Sequence, residues 1–137
     1  MPGKKQITKA SKNVKKAKIL LVEDDNFLAG MYNAKLNIEG YSVDLASDGE
    51  QGLKLAKEGS PDLILLDIIL PKLSGFEVLK AIKKDGKTKN IPVILLTNLG
   101  QRDDVSKGLA LGANDYLIKA HFMPSEVVAK IKNIVKT

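Results

Sequence analysis

Residues 62–71 read DLILLDIILP. Residues 63–66 form an apolar run with no polar alternation, the pattern of a strand covered on both faces in the middle of a parallel sheet. A second apolar run, residues 68–70, leads on to Pro71. Asp67 lies between the two and admits two readings. It caps a turn or helix just past the strand, or it projects from the carboxyl edge of a buried strand, where open α/β sheets place their ligands. Local sequence leaves both open, so the rest of the chain has to decide.

Outward from this stretch, short apolar runs alternate with helical patterns. Towards the N-terminus, residues 19–22 read as a buried strand followed by Glu23, Asp24 and Asp25. Asn26 is expected to cap a helix that carries Phe27, Met31, Ala34, Leu36 and Ile38 on its apolar face and stops at Gly40. Residues 41–46, YSVDLA, alternate as a strand with one less buried face, and Asp48-Gly49-Glu50 opens a second helix with Leu53, Leu55 and Ala56 inward. Towards the C-terminus, Gly75 and Phe76 begin a third helix with Val78, Leu79 and Ile82 inward. Residues 91–96 form another unbroken apolar strand, which ends on Thr97. Asp103 and Asp104 start a fourth helix with Val105, Leu109 and Leu111. Residues 116–118 make a fifth strand that ends on Lys119, and a last helix over residues 124–135 turns Val127, Val128, Ile131, Ile134 and Val135 inward. Five strands alternating with five helices, joined by right-handed crossovers, give a parallel sheet with helices on both faces.

Composition narrows the chemistry. A chain of 137 residues is most simply one domain, long enough to bury roughly two-thirds of the surface of its unfolded form. There is no cysteine, which excludes a disulfide framework, thiolate chemistry and zinc fingers. With His121 as the one histidine, a divalent ion must be held by oxygens, which favours magnesium, calcium or manganese over zinc. The net charge of +6 is unevenly placed: residues 1–18 carry seven lysines and no acid, and the other 119 residues carry 15 basic and 16 acidic groups. Residues 1–17 are therefore expected to be a basic, disordered tail ahead of a near-neutral folded domain at 18–137. Nucleic-acid contact is expected only through that tail. No apolar run approaches the roughly 18 residues of a membrane span. The lysine-rich start also lacks the apolar stretch of a secretory signal, so the expected location is the cytoplasm, without membrane insertion.

Polar groups fall at the carboxyl ends of four strands: Glu23 and Asp24, Asp67, Thr97, and Lys119. They are 43, 30 and 22 residues apart along the chain, yet a parallel sheet brings these ends to one edge. Carboxylates gathered there repel, since two unit charges about 4 Å apart cost on the order of 4 kcal/mol at an effective dielectric near 20. Lys119 supplies one compensating charge, and a hard divalent cation is the economical source of the rest. Mg²⁺ is favoured because it takes few protein ligands and keeps waters that a phosphate can replace. Such a cradle suits phosphoryl transfer, with Asp67 as carboxylate nucleophile, Lys119 offsetting charge on the phosphoryl oxygens and the Thr97 hydroxyl donating to one of them.

With these residues in place, the sequence resembles the receiver domain of two-component response regulators. KILLVEDDN, DLILLDIILPKLSGFEVL, PVILLTN and LGANDYLIK carry the resemblance, which covers about residues 18–136. It implies a (βα)5 doubly wound sheet of flavodoxin-like strand order 2-1-3-4-5. Glu23 and Asp24 then bind Mg²⁺ together with Asp67, the phospho-accepting aspartate, and the backbone carbonyl of Ile69 completes the metal shell. Thr97 becomes the switch hydroxyl, Lys119 the phosphate-binding lysine, and Tyr116 the aromatic that swings inward with Thr97. The implied donor is a sensor histidine kinase or phosphotransfer protein. The implied output is the face of the fourth helix, fifth strand and fifth helix, through which a partner or a second copy of the chain would bind. The family is a signalling module rather than an enzyme, although it catalyses phosphoryl transfer onto its own aspartate and the hydrolysis that follows.

Two positions depart from the family pattern. Ala120 stands where proline usually follows the lysine, so no cis peptide is expected there. Asn98 stands where a small residue usually follows the hydroxyl, and its amide is expected to narrow access to Asp67. His121 is expected to face solvent without a catalytic role. The chain stops soon after the fifth helix, so it is expected either to act alone or to be a domain cut from something longer. Rival readings are a receiver-like scaffold that does not use phosphorylation and a metal-dependent phosphatase with an aspartyl-phosphate intermediate. The common phosphatase pattern wants a second aspartate two residues after the nucleophile, where this chain has Ile69.

Overall fold

The alternation of apolar runs and amphipathic stretches resolves into five strands and five helices. In the computed structural model, which describes residues 17–98, 102–119 and 124–135, the order is β1 (Lys18–Val22), α1 (Asn26–Ile38), β2 (Ser42–Ala46), α2 (Gly49–Glu58), β3 (Leu63–Asp67), α3 (Gly75–Lys84), β4 (Val93–Thr97), α4 (Arg102–Ala110), β5 (Asp115–Ile118) and α5 (Pro124–Ile134). The sheet is parallel throughout, with spatial order β2-β1-β3-β4-β5. The expected 2-1-3-4-5 order is thus observed. β1, β3 and β4 are interior strands, which explains their unbroken apolar runs. β2 lies at an edge with a mixed burial pattern, which explains the alternation of YSVDLA.

Side-chain alternation divides the core in two. Ile19, Leu21, Leu63, Leu65, Ile94, Leu96 and Leu117 point to one face, where they meet Ala29, Tyr32 and Leu36 of α1 and Val127, Val128 and Ile131 of α5. Leu20, Val22, Ile64, Leu66, Val93 and Leu95 point to the other, against Ala56 of α2 and Val78, Leu79 and Ile82 of α3. Burial at roughly 25 cal/mol per Å² of apolar surface makes these two layers the main stabilising term. Ala17, expected to belong to the tail, is buried in the first layer, and its carbonyl accepts the Ser42 N–H.

Three details differ from expectation. The cap of α1 is Asp25, not Asn26: Asp25 is extended (φ −80°, ψ 109°) and its carboxylate accepts the N–H groups of Phe27 and Leu28, while Asn26 is already helical. A carboxylate there also meets the positive end of the helix dipole. The buried face of α1 is Ala29, Tyr32 and Leu36, whereas Phe27 and Ile38 are 74% and 78% exposed. Both lie two residues from a buried position, about 200° around a helix of 3.6 residues per turn, and so point away from the sheet. In α4 the buried residue is Gly108, and Leu109 is exposed. The close approach of α4 to the sheet requires that glycine, because a Cβ on it would overlap the Leu95 side chain.

Candidate functional site

β3 is buried along its whole length, and Asp67 is its last residue. The helix-cap reading of Asp67 therefore fails, although its Oδ1 does accept the Ile69 N–H of the turn that follows. Ser74 caps α3 instead, in a reciprocal pair with Glu77, and the S-x-x-E spacing made that box readable in sequence. Gly75 lets α3 start directly behind the strand. Its N–H donates to the Ile68 carbonyl at 2.7 Å, and a Cβ on it would overlap the Asp67 carbonyl oxygen and come within 2.6 Å of the Ile68 Cα.

Strand register brings the polar ends together. Val22 pairs with Leu66, so Glu23 follows β1 level with Asp67, and Asp67 pairs with Leu96 just before Thr97. The Lys119 N–H donates to the Thr97 carbonyl at 2.7 Å, which fixes the lysine beside β4. Carboxylate oxygens of Glu23, Asp24 and Asp67 lie within 4.8 Å of one another. Glu23 and Asp67 are buried, while Asp24 is exposed. Lys119 Nζ donates to Asp67 Oδ2 at 2.9 Å and Glu23 Oε1 at 3.3 Å. The Asp25 N–H donates to Glu23 Oε2 at 3.1 Å, and the Ile69 N–H to Asp67 Oδ1 at 3.2 Å. Asp25 itself is spent on the helix cap and stays outside the cluster.

The electrostatics follow from this crowding. Burial, then the charge of Asp67, pushes the Glu23 carboxyl up to about 7, although the Asp25 N–H and Lys119 pull the other way. Burial works against the Lys119 ammonium, yet its bonds and charge pairing with Asp67 and Glu23 prevail and raise it above the ordinary lysine value. Tyr32 of α1 is nearly fully buried, and burial followed by the negative potential of Glu23, Asp67 and Asp25 raises its phenol. Nothing in the sequence marked Tyr32 as a neighbour of the site. Three carboxylates against one ammonium leave excess negative charge, and an all-oxygen donor set with one exposed member fits a hard divalent cation that retains water.

Thr97 and Tyr116, the expected switch residues, lie to the side of this cluster. Thr97 is buried, and its hydroxyl donates to the Leu117 carbonyl at 3.4 Å, not to a group at the acidic end. Thr97, Asn98, Arg102, Val105, Ser106, Tyr116 and Ile118 line a cavity of about 290 Å³ between α4 and β5. Asn98 thus lies on the Tyr116 side of Thr97. Ile69 is 56% exposed on the turn beyond Asp67. There are no cis peptides among the described residues, while Ala120, His121 and the tail over residues 1–16 lie outside them. Among the described residues, no helix is long and apolar enough to cross a membrane.

A doubly wound parallel sheet with a lysine-closed acidic cluster at the carboxyl ends of its central strands places the chain among the flavodoxin-like α/β proteins. Sequence comparison narrows this: the family model described as response regulator receiver domain matches residues 19–132. The chain belongs to that family, the signalling receivers of two-component systems. It is similar to RpaA of Synechocystis, described as a DNA-binding dual master transcriptional regulator, with 40% identity over 119 residues, or 87% of this chain and 49% of that protein. The chain spans about half the length of the curated relatives it matches. Among solved structures, a protein described as a response regulator from Chloroflexus aurantiacus aligns with a TM-score of 0.83 and 36% identity, covering 88% of this chain and 98% of that one. The receiver domain of sensor histidine kinase PA1611 from Pseudomonas aeruginosa, described with magnesium coordinated in its active-site cleft, aligns with a TM-score of 0.78 and 33% identity over 85% of this chain and 95% of that one.

Proposed function

We propose that Asp67 accepts a phosphoryl group and that the chain works as a phosphorylation-controlled switch. The observation that carries this reading is the convergence of Glu23, Asp24 and Asp67 within 4.8 Å beside the Lys119 ammonium. An oxygen of Asp67 attacks phosphorus while the bond from phosphorus to a donor imidazole nitrogen breaks. The electron pair leaves with the imidazole, which takes a proton from solvent. Lys119 holds Asp67 in line and then neutralises an oxygen of the bound group, and the Thr97 hydroxyl turns from the Leu117 carbonyl to donate to another. Glu23, Asp24 and Asp67, with the Ile69 carbonyl, would hold Mg²⁺, which when bound offsets charge on the phosphoryl oxygens. Attack by water on phosphorus later restores the Asp67 carboxylate.

The donor is a sensor histidine kinase or phosphotransfer protein. Phe27, exposed in the first turn of α1, and Ile69, exposed on the turn that follows β3, offer it contact area. Thr97 and Tyr116 carry the change to the face of α4, β5 and α5, where a protein partner or a second copy of the chain binds. DNA, which the description of RpaA names for that protein, would be reached downstream of this switch. The test is intact mass after incubation with acetyl phosphate, with and without Mg²⁺. A gain is expected in wild type with Mg²⁺ and none in Asp67→Ala. Equal gain in both variants refutes Asp67 as acceptor, and no gain in either leaves the chain a phosphorylation-independent interaction module.

A further inference from the structure

The surroundings of Tyr116 carry a constraint that the acidic site does not supply. Tyr116 helps to line the cavity of about 290 Å³ next to Thr97, large against the roughly 30 Å³ of a water molecule. Over the same ring stands Lys130 of α5, whose ammonium sits 5.7 Å from the ring centroid. That ammonium is itself anchored, donating to Asp115 Oδ1 at 3.0 Å and Oδ2 at 2.9 Å. Asp115 precedes Tyr116, and its Oδ1 accepts the Tyr116 backbone N–H at 2.8 Å. Carboxylate, ammonium and aromatic ring therefore form one local unit, with the cation fixed within the 6 Å at which an aromatic face attracts it.

We propose that Lys130 is a positioning residue that holds Tyr116 out of the cavity and so sets the threshold of the switch. The inference rests on the switch reading above. Movement of the ring into the cavity beside Thr97 breaks the cation–π contact, while the Lys130–Asp115 pair keeps the ammonium where it is. The outward state is thereby favoured by a factor of roughly 2 to 5, the value of one partly exposed cation–π contact. A phosphoryl group that draws Thr97 away from Leu117 has to overcome that factor. Because binding and conformation are linked, loss of the cation raises the inward population by the same factor.

Lys130→Gln keeps a hydrogen-bond donor for Asp115 and removes the charge, and Lys130→Arg keeps the cation. The full chain labelled with 3-fluorotyrosine gives fluorine resonances for Tyr32, Tyr41 and Tyr116, and loss of one line in Tyr116→Phe assigns the third. Without phosphodonor, the Tyr116 line of Lys130→Gln is expected to move towards the position that wild type shows with beryllofluoride and Mg²⁺. Phosphorylation by acetyl phosphate is expected to quicken 2- to 5-fold, and Lys130→Arg to restore both properties. A Lys130→Gln variant that matches wild type in both readouts overturns the proposal, as does an arginine variant that shifts as far as the glutamine one. Failure of wild type to gain mass at all refutes the switch instead, and the fluorine shift of the unphosphorylated variants still judges Lys130.

Discussion

Replacing Glu23 by glutamine should stabilise the metal-free protein, with a gain that depends steeply on pH. Glu23 is 2% exposed, and its carboxyl is raised from 4.5 to about 7 by burial and by Asp67. Because its folded value is the higher one, the folded state binds the proton more tightly than the unfolded state. The associated stability is present in full below about pH 4.5 and is lost as pH rises through 7. At 1.36 kcal/mol per unit, the wild type loses about 3 kcal/mol from this group between pH 4.5 and pH 8. Glutamine carries no such charge, so the substitution should be nearly neutral at pH 5 and worth about 2–3 kcal/mol at pH 8. Lys119, raised above its ordinary value, contributes stability that is lost only in the alkaline range and so adds no slope here. Urea unfolding at the two pH values in the presence of a chelator reads this directly, since 3 kcal/mol moves the midpoint by about 1–2 M for a typical slope. An equal midpoint change at both pH values, or a loss at pH 8, would falsify the account of Glu23 as a buried, repelled carboxylate.

With Glu23 as a Mg²⁺ ligand, as proposed, binding displaces its proton and the affinity should fall about tenfold per pH unit below 7; titration calorimetry at pH 6 and 8 tests this, and a pH-independent affinity contradicts it. Asp25→Ala removes the α1 cap and should cost about 1 kcal/mol while Mg²⁺ affinity stays within a factor of two, which separates a structural carboxylate from the cluster beside it. Gly75→Ala drives a methyl group into the Asp67 carbonyl and should cost about 2–3 kcal/mol and slow acetyl phosphate turnover; unchanged melting and rate would show that the turn yields freely.

The fold was legible because strands buried on both faces leave no polar alternation. The apolar runs within DLILLDIILP and PVILLTN read as interior strands, and interior parallel strands need the crossovers that bring their carboxyl ends to one edge. Convergence of Glu23, Asp24, Asp67, Thr97 and Lys119 at that edge followed from topology, although Lys119 and Glu23 are 96 residues apart. The α1 face and cap were harder to read, since Phe27 and Ile38 are apolar yet face away from the sheet, and Asp25 and Asn26 are both good caps. Which of two adjacent candidates turns inward depends on the direction at which the chain leaves β1, and no local pattern encodes that direction.

The sequence by itself therefore determined the order of elements, the parallel sheet and the chemical types gathered at its edge. Only the tertiary structure decided that Glu23 is buried and Asp24 exposed, that the Thr97 hydroxyl rests on the Leu117 carbonyl, and that Lys130 lies over Tyr116. These depend on side chains from separate elements meeting at distances of about 3–6 Å, where burial and pairing set their energies. Periodicity along one strand or helix says which face a residue occupies, but not what the other face brings to it.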